Sequence, residues 1–459
     1  MGEREPVAEG ELLPGAAEHP AFPLLRRAAT DLGVRAWAVG GYVRDVLLHR
    51  EHPDLDVVAE TAGPQLAGRF AELAGAARPA LFPRFGTAQV TWRGHLVEFV
   101  TARAESYPPD SRKPEVRPAG LEDDLRRRDF TVNTMLLDFE GRFLDPLRGQ
   151  ADLRRRVLRT PADPVRTFTD DPLRMLRAVR FAAQLGFQLD PSLLPAMRAE
   201  RARALPPILS AERTRDELLK MLLSERPRVA LDLLDEAGLL ELLLPEVFAC
   251  HDVEQGRWHV ADVYGHTVAA VAAAPPERLV RLAALFHDVG KARTAAPDGS
   301  FHGHERVGAE MAVGALARLR FPAAEGARVG RLVALHLRPI FYSAEQWTEA
   351  AVRRLARDAG DLLWPLLDLA RADIAASAYP DAAKLDDLAR RLREALAERP
   401  SRMRVPIRGE DIMSVLGVGP GPVVGRVRRR LEELVLEGGL APEREAIMAH
   451  LRAHPELAS

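Results

Sequence analysis

The chain has 459 residues, of which 47% are hydrophobic and 28% charged, as expected for a globular protein with several domains. Its formal net charge of −2 gives no overall basic excess for binding nucleic acid, although net charge is a poor guide when charges are segregated. Cys250 is the single cysteine, which excludes an intramolecular disulfide and a cysteine-based zinc cluster. The polar, acidic start does not resemble a signal peptide, and no apolar run reaches the about 20 residues of a membrane span. We therefore expect a cytoplasmic protein with no membrane partner.

The predicted elements divide the chain into five segments. Residues 1–30 are a leader and the first, amphipathic helix, predicted over 21–32. Residues 31–150, the head, alternate short apolar runs with turns. Strand signals vanish from about residue 150, and helical spacing dominates the rest. The pattern predicts an α+β head with a mixed sheet and helices, followed by a mostly α-helical neck (151–225), body (226–400) and tail (401–459). Strands are predicted at 36–39, 55–58, 87–92, 96–101 and 131–138.

The first motif joins a glycine turn to a pair of carboxylates. Gly40 and Gly41 follow the first predicted strand, where glycines let the backbone approach a phosphate and the next helix points N–H groups at the anion. Asp54 and Asp56 lie two residues apart, so on a strand both carboxylates face the same way. Converging carboxylate oxygens suit Mg²⁺, and Mg²⁺ suits triphosphates. Either half alone is usually a plain turn or a solvated loop, but their succession is more specific.

This run resembles the nucleotidyltransferase superfamily, and specifically the bacterial class II tRNA nucleotidyltransferase and poly(A) polymerase family. The resemblance implies that Asp54 and Asp56 are catalytic and bind two Mg²⁺ ions, with an RNA 3′-hydroxyl attacking the α-phosphate and pyrophosphate leaving. Arg44 is expected to bind the triphosphate, and Asp45 to hold the helix start or a neighbouring arginine. Glu98 is either a third catalytic carboxylate or a strand-face glutamate in an ion pair.

Two further features of the head support the resemblance. Residues 126–133 resemble the family motif Arg-Arg-Asp-Phe-Thr-x-Asn, which implies that Arg128 and Asp129 contact the nucleotide and that Asn133 supports the same pocket. The polar, proline-rich segment 106–114 resembles the flexible loop that family members need to add the terminal adenosine. It favours A-adding or full CCA-adding activity, unless it is a surface loop without a role.

The neck contains acidic and arginine residues at helical spacing. Asp170 is predicted as the N-cap of a helix in which Asp171, Arg174 and Arg177 share one face, with Arg180 one step further. From the spacing alone, an amphipathic helix with ion pairs is the ordinary interpretation.

The resemblance adds a specific role for this helix. In the family motif Glu-Asp-x-x-Arg, the last two charged residues read the incoming base without a nucleic-acid template. It therefore implies that Asp171 and Arg174 hydrogen-bond the Watson–Crick edge of CTP or ATP, and that Arg177 and Arg180 bind phosphates. Asp170 replaces the first residue of the motif. Residues Glu212, Arg213 and Arg215 are expected to brace the neck helix.

The body carries a second pattern of histidines and aspartates. His287-Asp288-Val289-Gly290-Lys291 follows an apolar helical run and resembles the HD phosphohydrolase superfamily. The resemblance implies one metal bound by His266, His287, Asp288 and a later aspartate, for which Asp373 is chosen by spacing, and a second metal served by His304 and His336. Imidazole ligands favour transition metals such as Ni²⁺ or Mn²⁺ over Mg²⁺. The body is then an active phosphodiesterase or phosphatase, or a scaffold that carries tRNA.

The tail ends the chain with glycine-rich turns and a helix that contains four arginines, Arg426, Arg428, Arg429 and Arg430. Such a segment presents amides and guanidinium groups to phosphates, so it holds tRNA, or it is a plain helical hairpin that closes the fold.

Together the motifs predict a template-independent tRNA nucleotidyltransferase that builds or repairs the 3′-terminal CCA from CTP and ATP. The alternatives within the same chemistry are an A-adding specialist and a poly(A) polymerase. An HD-type phosphohydrolase with a degenerate head and a non-enzymatic tRNA-binding scaffold are alternatives of other classes. The expected partners are tRNA, CTP and ATP, and the motifs give no indication of the oligomeric state.

Overall fold

The computed structural model describes residues 7–13, 19–51, 54–83, 86–106, 115–254, 261–377, 382–397, 405–436 and 439–458. The chain divides into two compact units, Met1–Leu243 and Leu244–Ser459. The proline-rich segment 106–114 was predicted to be a loop. Its residues 107–114 lie outside the described residues. None of the described helices combines the length and the apolar character needed to cross a membrane.

The first unit is built around a mixed sheet. Its strands, in chain order, are β1 (Ala36–Val39), β2 (Leu55–Ala59), β3 (Ala80–Phe82), β4 (Thr87–Trp92), β5 (His95–Thr101), β6 (Arg103–Ser106), β7 (Glu115–Pro118), β8 (Leu136–Leu137), β9 (Phe143–Leu144), β10 (Val157–Leu158) and β11 (Gln188–Leu189). The described part of the unit contains a seven-stranded sheet of order β3-β4-β5-β2-β1-β8-β9, in which β2 pairs parallel to β5 and antiparallel to β1. The fold class expected from the sequence is confirmed.

Helices surround this sheet and continue beyond it. They are α1 (Phe22–Leu32), α2 (Gly41–Leu47), α3 (Gly63–Ala74), α4 (Leu121–Arg126), α5 (Gly149–Arg155), α6 (Pro164–Asp170), α7 (Leu173–Leu185), α8 (Leu193–Glu200), α9 (Ala211–Leu222), α10 (Pro227–Glu236) and α11 (Leu240–Leu243), with 3-10 turns at Thr131–Asn133 and Arg201–Ala204. Phe70 of α3 packs against Trp92 and Phe99, which alternate with less buried residues on β4 and β5, so the sheet buries this face under α3.

Three predictions about elements of the first unit were wrong. Residues 131–138 were expected to be a strand, but they form the 3-10 turn and then only the two-residue β8. Two polar side chains form hydrogen bonds that compete with a strand here: the Thr131 hydroxyl donates to Asp152 of α5, and the Asn133 amide donates to the neighbouring Asp129. Strand signals also do not end at residue 150, since β10 and β11 pair in parallel. Asp170 ends α6 instead of capping the next helix.

The secondary-structure elements described in the second unit are all helices, joined by loops. Its helices are α12 (Pro245–Phe248), α13 (Val263–Ala273), α14 (Arg278–Phe286), α15 (Lys291–Thr294), α16 (His304–Arg318), α17 (Ala323–Leu335), α18 (Leu337–Ile340), α19 (Glu349–Ala359), α20 (Leu363–Ala375), α21 (Ala383–Ala397), α22 (Gly409–Leu416), α23 (Pro422–Leu436) and α24 (Arg444–Ala453), with 3-10 turns at Gly360–Leu362 and Pro455–Ala458. Helices α13, α14, α16, α17 and α20 pack together and carry the histidines of the body. The last three helices have a small apolar core of their own that includes Ile412, Leu431 and Ile447.

Candidate functional site

The carboxylates of the head lie around the start of β2. Asp56 is paired with Val39 on β1 and with Glu98 on β5, and because directly paired residues of neighbouring strands face the same side of a sheet, Asp56 and Glu98 share a face. Asp54 precedes β2 by one residue and is exposed. The Glu98 carboxylate accepts a hydrogen bond of 3.0 Å from the Gln89 amide. The structure therefore brings the possible third carboxylate next to Asp56.

The turn between β1 and α2 approaches the same carboxylate. Gly40 has φ 78° and ψ −137°, a conformation that is nearly restricted to glycine. A Cβ atom at this position would lie 2.9 Å from Oδ2 of Asp56 and 3.7 Å from Nη1 of Arg128. Gly40 is thus required both by its backbone angles and by the close approach of Asp56. The guanidinium of Arg128 is brought to the same turn.

Arg44 lies on α2, the helix that follows this turn, and its side chain is held by buried polar partners. Its guanidinium is buried and donates to both carboxylate oxygens of Asp45, at 2.8 and 2.9 Å, and to Oδ1 of Asn133 at 2.9 Å. It also lies 5.1 Å from the ring centroid of Phe181. Asp45 therefore holds a neighbouring arginine, one of its two expected roles. These contacts brace Arg44 inside the head, and its expected role as a triphosphate ligand stays a prediction.

Asp129 forms the centre of the next network. Its Oδ1 accepts from the Phe130 amide at 2.8 Å and from Asn133 at 2.9 Å, and its Oδ2 accepts from Nε and Nη2 of Arg177 at 2.8 and 2.5 Å. Burial alone would raise the pKa of Asp129, but the charge of Arg177 and these hydrogen bonds hold the pKa far below its usual range. Asp129 thus links the head to α7 as a permanent anion.

Asp124 on α4 was not identified from the sequence. Its side chain is completely buried, and its Oδ1 accepts from Arg127 at 3.0 and 2.5 Å while its Oδ2 accepts from Arg128 at 3.1 Å. Burial raises the pKa of Asp124, but the charges of Arg128 and Arg127 outweigh this and lower it. The spacing of three and four residues to the arginines is the signal that would have indicated these pairs.

The neck residues expected to read the base lie at the start of α7. Arg174 is buried, and its guanidinium donates to the backbone carbonyl of Arg127 at 2.6 Å and to that of Thr167 at 3.4 Å. Asp171 stands between α6 and α7 with φ −139°, and its Oδ1 accepts from the Leu173 amide at 3.2 Å. The expected helix face shared by Asp171, Arg174 and Arg177 is therefore wrong for Asp171, because Pro172 delays the start of α7.

Arg180 is held by a residue that the sequence did not single out. Its Nε donates to Oε2 of Glu217 on α9 at 2.5 Å, its Nη1 donates to Gln184 at 2.9 Å, and both partners of the ion pair are buried. Glu212, expected to brace this helix, is exposed, and Arg215 pairs with Asp216 instead. Glu217 therefore joins α9 to α7 through Arg180, and the expected role of Arg180 as a phosphate ligand stays a prediction.

The second unit brings the histidines of the body into one buried cluster around Asp288. Nε2 of His287 lies 3.2 Å from Oδ2 of Asp288, and Nε2 of His304 and His336 lie 3.3 and 3.7 Å from its Oδ1. Nε2 of His266 lies 3.0 Å from Oδ1 of Asp373. Two groups of mutually close ligand atoms result, His266-His287-Asp288 and Asp288-His304-His336, and Asp288 belongs to both.

The outer nitrogen of each histidine is fixed by a backbone carbonyl. Nδ1 lies 2.8 Å from the Ala284 carbonyl in His287, 2.8 Å from that of Phe301 in His304, and 2.7 Å from that of Val333 in His336. A carbonyl accepts only from Nδ1–H, which leaves Nε2, the nitrogen on the side of Asp288, as the atom through which the neutral ring can bind a metal ion. Nε2 of His304 and of His336 have no hydrogen-bond partner among the described residues. This donor set fits metal ions.

Electrostatics support the same conclusion. Burial lowers the pKa of His287, but the Asp288 charge outweighs it and raises the pKa to about 9. Burial and the charge on His287 lower the pKa of His336 to about 4. The buried carboxylate of Asp288 is thus stabilised by nearby positive charge. Part of this charge comes from Lys291, whose Nζ donates to Oδ2 of Asp288 at 2.7 Å.

Comparisons with known proteins identify both units. Residues 36–159 match the poly A polymerase head domain, residues 186–250 the probable RNA- and SrmB-binding site of polymerase A, and residues 259–376 the HD domain. An A-adding tRNA nucleotidyltransferase of Deinococcus radiodurans is 40% identical over 347 residues, which are 72% of this chain and 78% of the relative. A CC-adding tRNA nucleotidyltransferase of Thermus thermophilus is 37% identical over 431 residues, 90% of this chain and 92% of the relative.

A solved structure shares the fold. The crystal structure of the Bacillus stearothermophilus CCA-adding enzyme in complex with CTP matches with a TM-score of 0.66 and 24% identity, over 95% of this chain and 98% of the other. The two domain types imply the use of divalent metal ions. On the identity and coverage of its relatives, the chain belongs to the bacterial tRNA nucleotidyltransferase and poly(A) polymerase family, is a nucleotidyltransferase, and carries an HD domain.

Proposed function

We propose that this protein adds nucleotides to the 3′ end of tRNA without a template, and that it builds or repairs the terminal CCA from CTP and ATP. The observation that carries the proposal is the meeting of Asp56, Gly40 and Arg128 at one turn, with Glu98 beside Asp56 on the next strand. Carboxylates and a guanidinium at a turn that excludes any side chain leave room for a phosphate chain.

Each residue of the head then has a role. Asp54 and Asp56 hold Mg²⁺, which supplies positive charge for the reacting phosphate when it is bound. Gly40 and Gly41 let the backbone pass close to the triphosphate, and Arg128 donates to its oxygens. Arg44, Asp129 and Asn133 keep this pocket rigid, since each is buried in hydrogen bonds to the others or to Asp45 and Arg177. Rigid donors stabilise developing charge without reorganisation.

Base selection is assigned to the start of α7. Asp171 accepts from the exocyclic amine that C and A share, and Arg174 donates to ring or carbonyl acceptors of the same edge. U and G leave buried groups of this pair unsatisfied, which disfavours them. An Asp171→Ala variant is expected to lose the preference for CTP and ATP over UTP and GTP. Equal incorporation ratios in variant and wild type would contradict this assignment.

A second candidate within this chemistry is addition of A alone. The Deinococcus relative is an A-adding enzyme, while the Thermus relative adds CC. The hairpin of β6 and β7 flanks the segment that resembles the loop for adenosine addition, which favours A addition over a CC-only activity. A poly(A) polymerase is the remaining outcome, and tRNA substrates of defined 3′ end separate the three.

The HD cluster carries a proposal of its own, a two-metal phosphohydrolase centre. His266, His287, Asp288 and Asp373 hold one ion, and Asp288, His304 and His336 hold the other, with a transition metal such as Ni²⁺ or Mn²⁺ favoured by the imidazoles. Two bound ions polarise a phosphoryl group and activate water.

Metal content tests the HD proposal without relying on activity. In the Asp54→Ala/Asp56→Ala background, which removes the head carboxylates, the chain saturated with Mn²⁺ or Ni²⁺ and desalted is expected to retain two ions, and the same background with His336→Ala added is expected to retain one. His302, exposed two residues from His304, provides the control His302→Ala with both ions retained. One ion in the Asp54→Ala/Asp56→Ala background, or two after His336→Ala is added to it, would overturn the two-metal centre. Release of phosphate from phosphomonoesters or cyclic phosphodiesters then defines the substrate.

A further inference from the structure

The carboxylate of Asp124 is enclosed between two consecutive arginines and has no role in the nucleotide chemistry described so far. Its side chain is fully buried, whereas Arg127 and Arg128 keep 20% and 17% of their side-chain surface exposed. A buried carboxylate that satisfies two guanidinium groups at once fixes the direction in which both arginines extend, because each fork must face its oxygen.

The orientation that Asp124 gives to Arg128 places the Arg128 guanidinium near the turn at Gly40. Its Nη1 lies 3.7 Å from the position that a Cβ of Gly40 would occupy, and Oδ2 of Asp56 lies 2.9 Å from the same position. Its Nε is buried and has no hydrogen-bond partner among the described residues. A buried donor without a partner is energetically costly, so Nε of Arg128 is expected to bind an acceptor when a ligand is present. A phosphate oxygen is such an acceptor.

Arg127 connects Asp124 to two further parts of the first unit, the start of β6 and Arg174 of α7. Its Nε, besides contacting Asp124, donates to the carbonyl of Arg103 at 3.1 Å, where β6 begins. Its own carbonyl accepts from Arg174 at 2.6 Å. The single carboxylate of Asp124 is therefore connected to the catalytic turn through Arg128, and to the hairpin of β6 and β7 and the base-reading arginine through Arg127.

We propose that Asp124 is a positioning residue of the nucleotide site, which aims Arg128 at the triphosphate and holds Arg127 between the β6 hairpin and Arg174. This inference rests on the proposed function, since it assigns the triphosphate as the ligand of Arg128. Asp124 itself touches neither the nucleotide nor the metal ions. Its removal weakens nucleotide binding through the arginines that it holds.

The test compares Asp124→Asn with Asp123→Asn, an adjacent exposed carboxylate on the same helix. Asp124→Asn is expected to raise the KM for ATP about tenfold or more, as for the loss of one charged hydrogen bond, with a smaller change in kcat. Asp123→Asn is expected to match the wild type. Melting curves establish that all variants are folded at the assay temperature.

A double-mutant cycle separates positioning from a merely structural role. If Asp124 acts on the triphosphate through Arg128, Asp124→Asn raises the KM by a smaller factor in the Arg128→Ala background than in the wild type. Multiplying effects, or an unchanged KM in Asp124→Asn, would overturn the proposal. Should Asp124→Asn not fold, Arg127→Lys, which keeps the charge but loses the fork, is expected to raise the KM in the same way, and an unchanged KM there also overturns it.

Equilibrium binding of ATP with Mg²⁺, followed by calorimetry, keeps this inference distinct from the proposed function. If wild-type protein binds ATP but incorporates nothing into any RNA, the transferase proposal fails, while weaker ATP binding by Asp124→Asn still supports the positioning role. If ATP binds equally to the wild type and to Asp124→Asn, the positioning role fails while incorporation by the wild type keeps the transferase proposal intact.

Discussion

Gly40 shows how one residue serves both the backbone and the chemistry of the site. Its positive φ could be adopted by another residue only with strain, and the space for a Cβ is already limited by Oδ2 of Asp56. Gly33 also has a positive φ, 64°, but no atom lies within 4 Å of its Cβ position. Both glycines therefore have a positive φ, but Gly33 lies in the left-handed helical region and Gly40 in a region nearly restricted to glycine, and their surroundings differ.

Gly40→Ala is predicted to abolish most nucleotide incorporation, because the new methyl group displaces the Asp56 carboxylate. Gly33→Ala is a control for the positive φ alone, with an expected stability cost of about 1–2 kcal/mol and near wild-type incorporation. Thermal melts and steady-state incorporation rates measure the two effects. Equal rates in both variants would show that the approach of Asp56 to Gly40 has no catalytic importance.

The pair Asp129–Arg177 predicts an acid-sensitive stability. The folded-state pKa of Asp129 is depressed, so the stabilisation is complete above the unfolded-state value of about 3.9 and is lost as the pH falls below it. Asp129→Asn is expected to cost about 2 kcal/mol at pH 7, and the difference from wild type should shrink as the pH falls from about 4 towards the depressed folded-state pKa of Asp129. Urea unfolding at several pH values measures this, with Asp123→Asn as the control. A difference that does not change with pH would contradict it.

At the scale of elements, α7 is the helix on which the neck depends. It packs against α9 and α10, and its Arg180 is paired with Glu217 in a buried setting. Arg44, Arg177 and Arg180 all lie within 5.3 Å of the ring centroid of Phe181. The face of α7 that meets the head is therefore held by paired cations around one aromatic ring.

Glu217→Ala is predicted to destabilise the first unit by about 3 kcal/mol, because Arg180 would remain buried without its carboxylate. Glu212→Ala, on the same helix but exposed, should stay within about 0.5 kcal/mol of the wild type. Denaturant unfolding provides both values. Comparable losses in the two variants would indicate that the Arg180–Glu217 pair adds nothing beyond helix propensity.

The elements that the sequence predicts well are those set by local pattern. Strand β1, the glycine turn and the start of β2 follow from apolar runs and glycines. The start of α7 was missed because Pro172 delays it, and residues 131–138 were missed because hydrogen bonds to distant or neighbouring side chains outweigh propensity there. Glu217 was missed because its partner is 37 residues away along the chain, a contact that no local pattern reveals.

At the scale of the whole molecule, two units contain two distinct sets of metal-binding residues. Asp54 and Asp56 belong to the unit Met1–Leu243, and the histidine cluster belongs to the unit Leu244–Ser459. Asp56→Ala is therefore predicted to abolish nucleotide incorporation and to leave the metal content of the histidine cluster unchanged. Metal analysis of the desalted variant tests this, and loss of the HD metals in Asp56→Ala would show that the two sets are not independent.

The central claim is tested most directly by incorporation into tRNA of defined 3′ end. Purified protein is incubated with Mg²⁺ and tRNA that ends at the discriminator base, at C or at CC, with labelled CTP and ATP supplied separately and together. Ordered addition of C, C and A that then stops is the predicted result, and Asp54→Ala/Asp56→Ala is the inactive control. Addition of A alone to the CC-ended tRNA would establish the A-adding activity instead. Absence of incorporation into every substrate would contradict the assignment of the head as an active transferase.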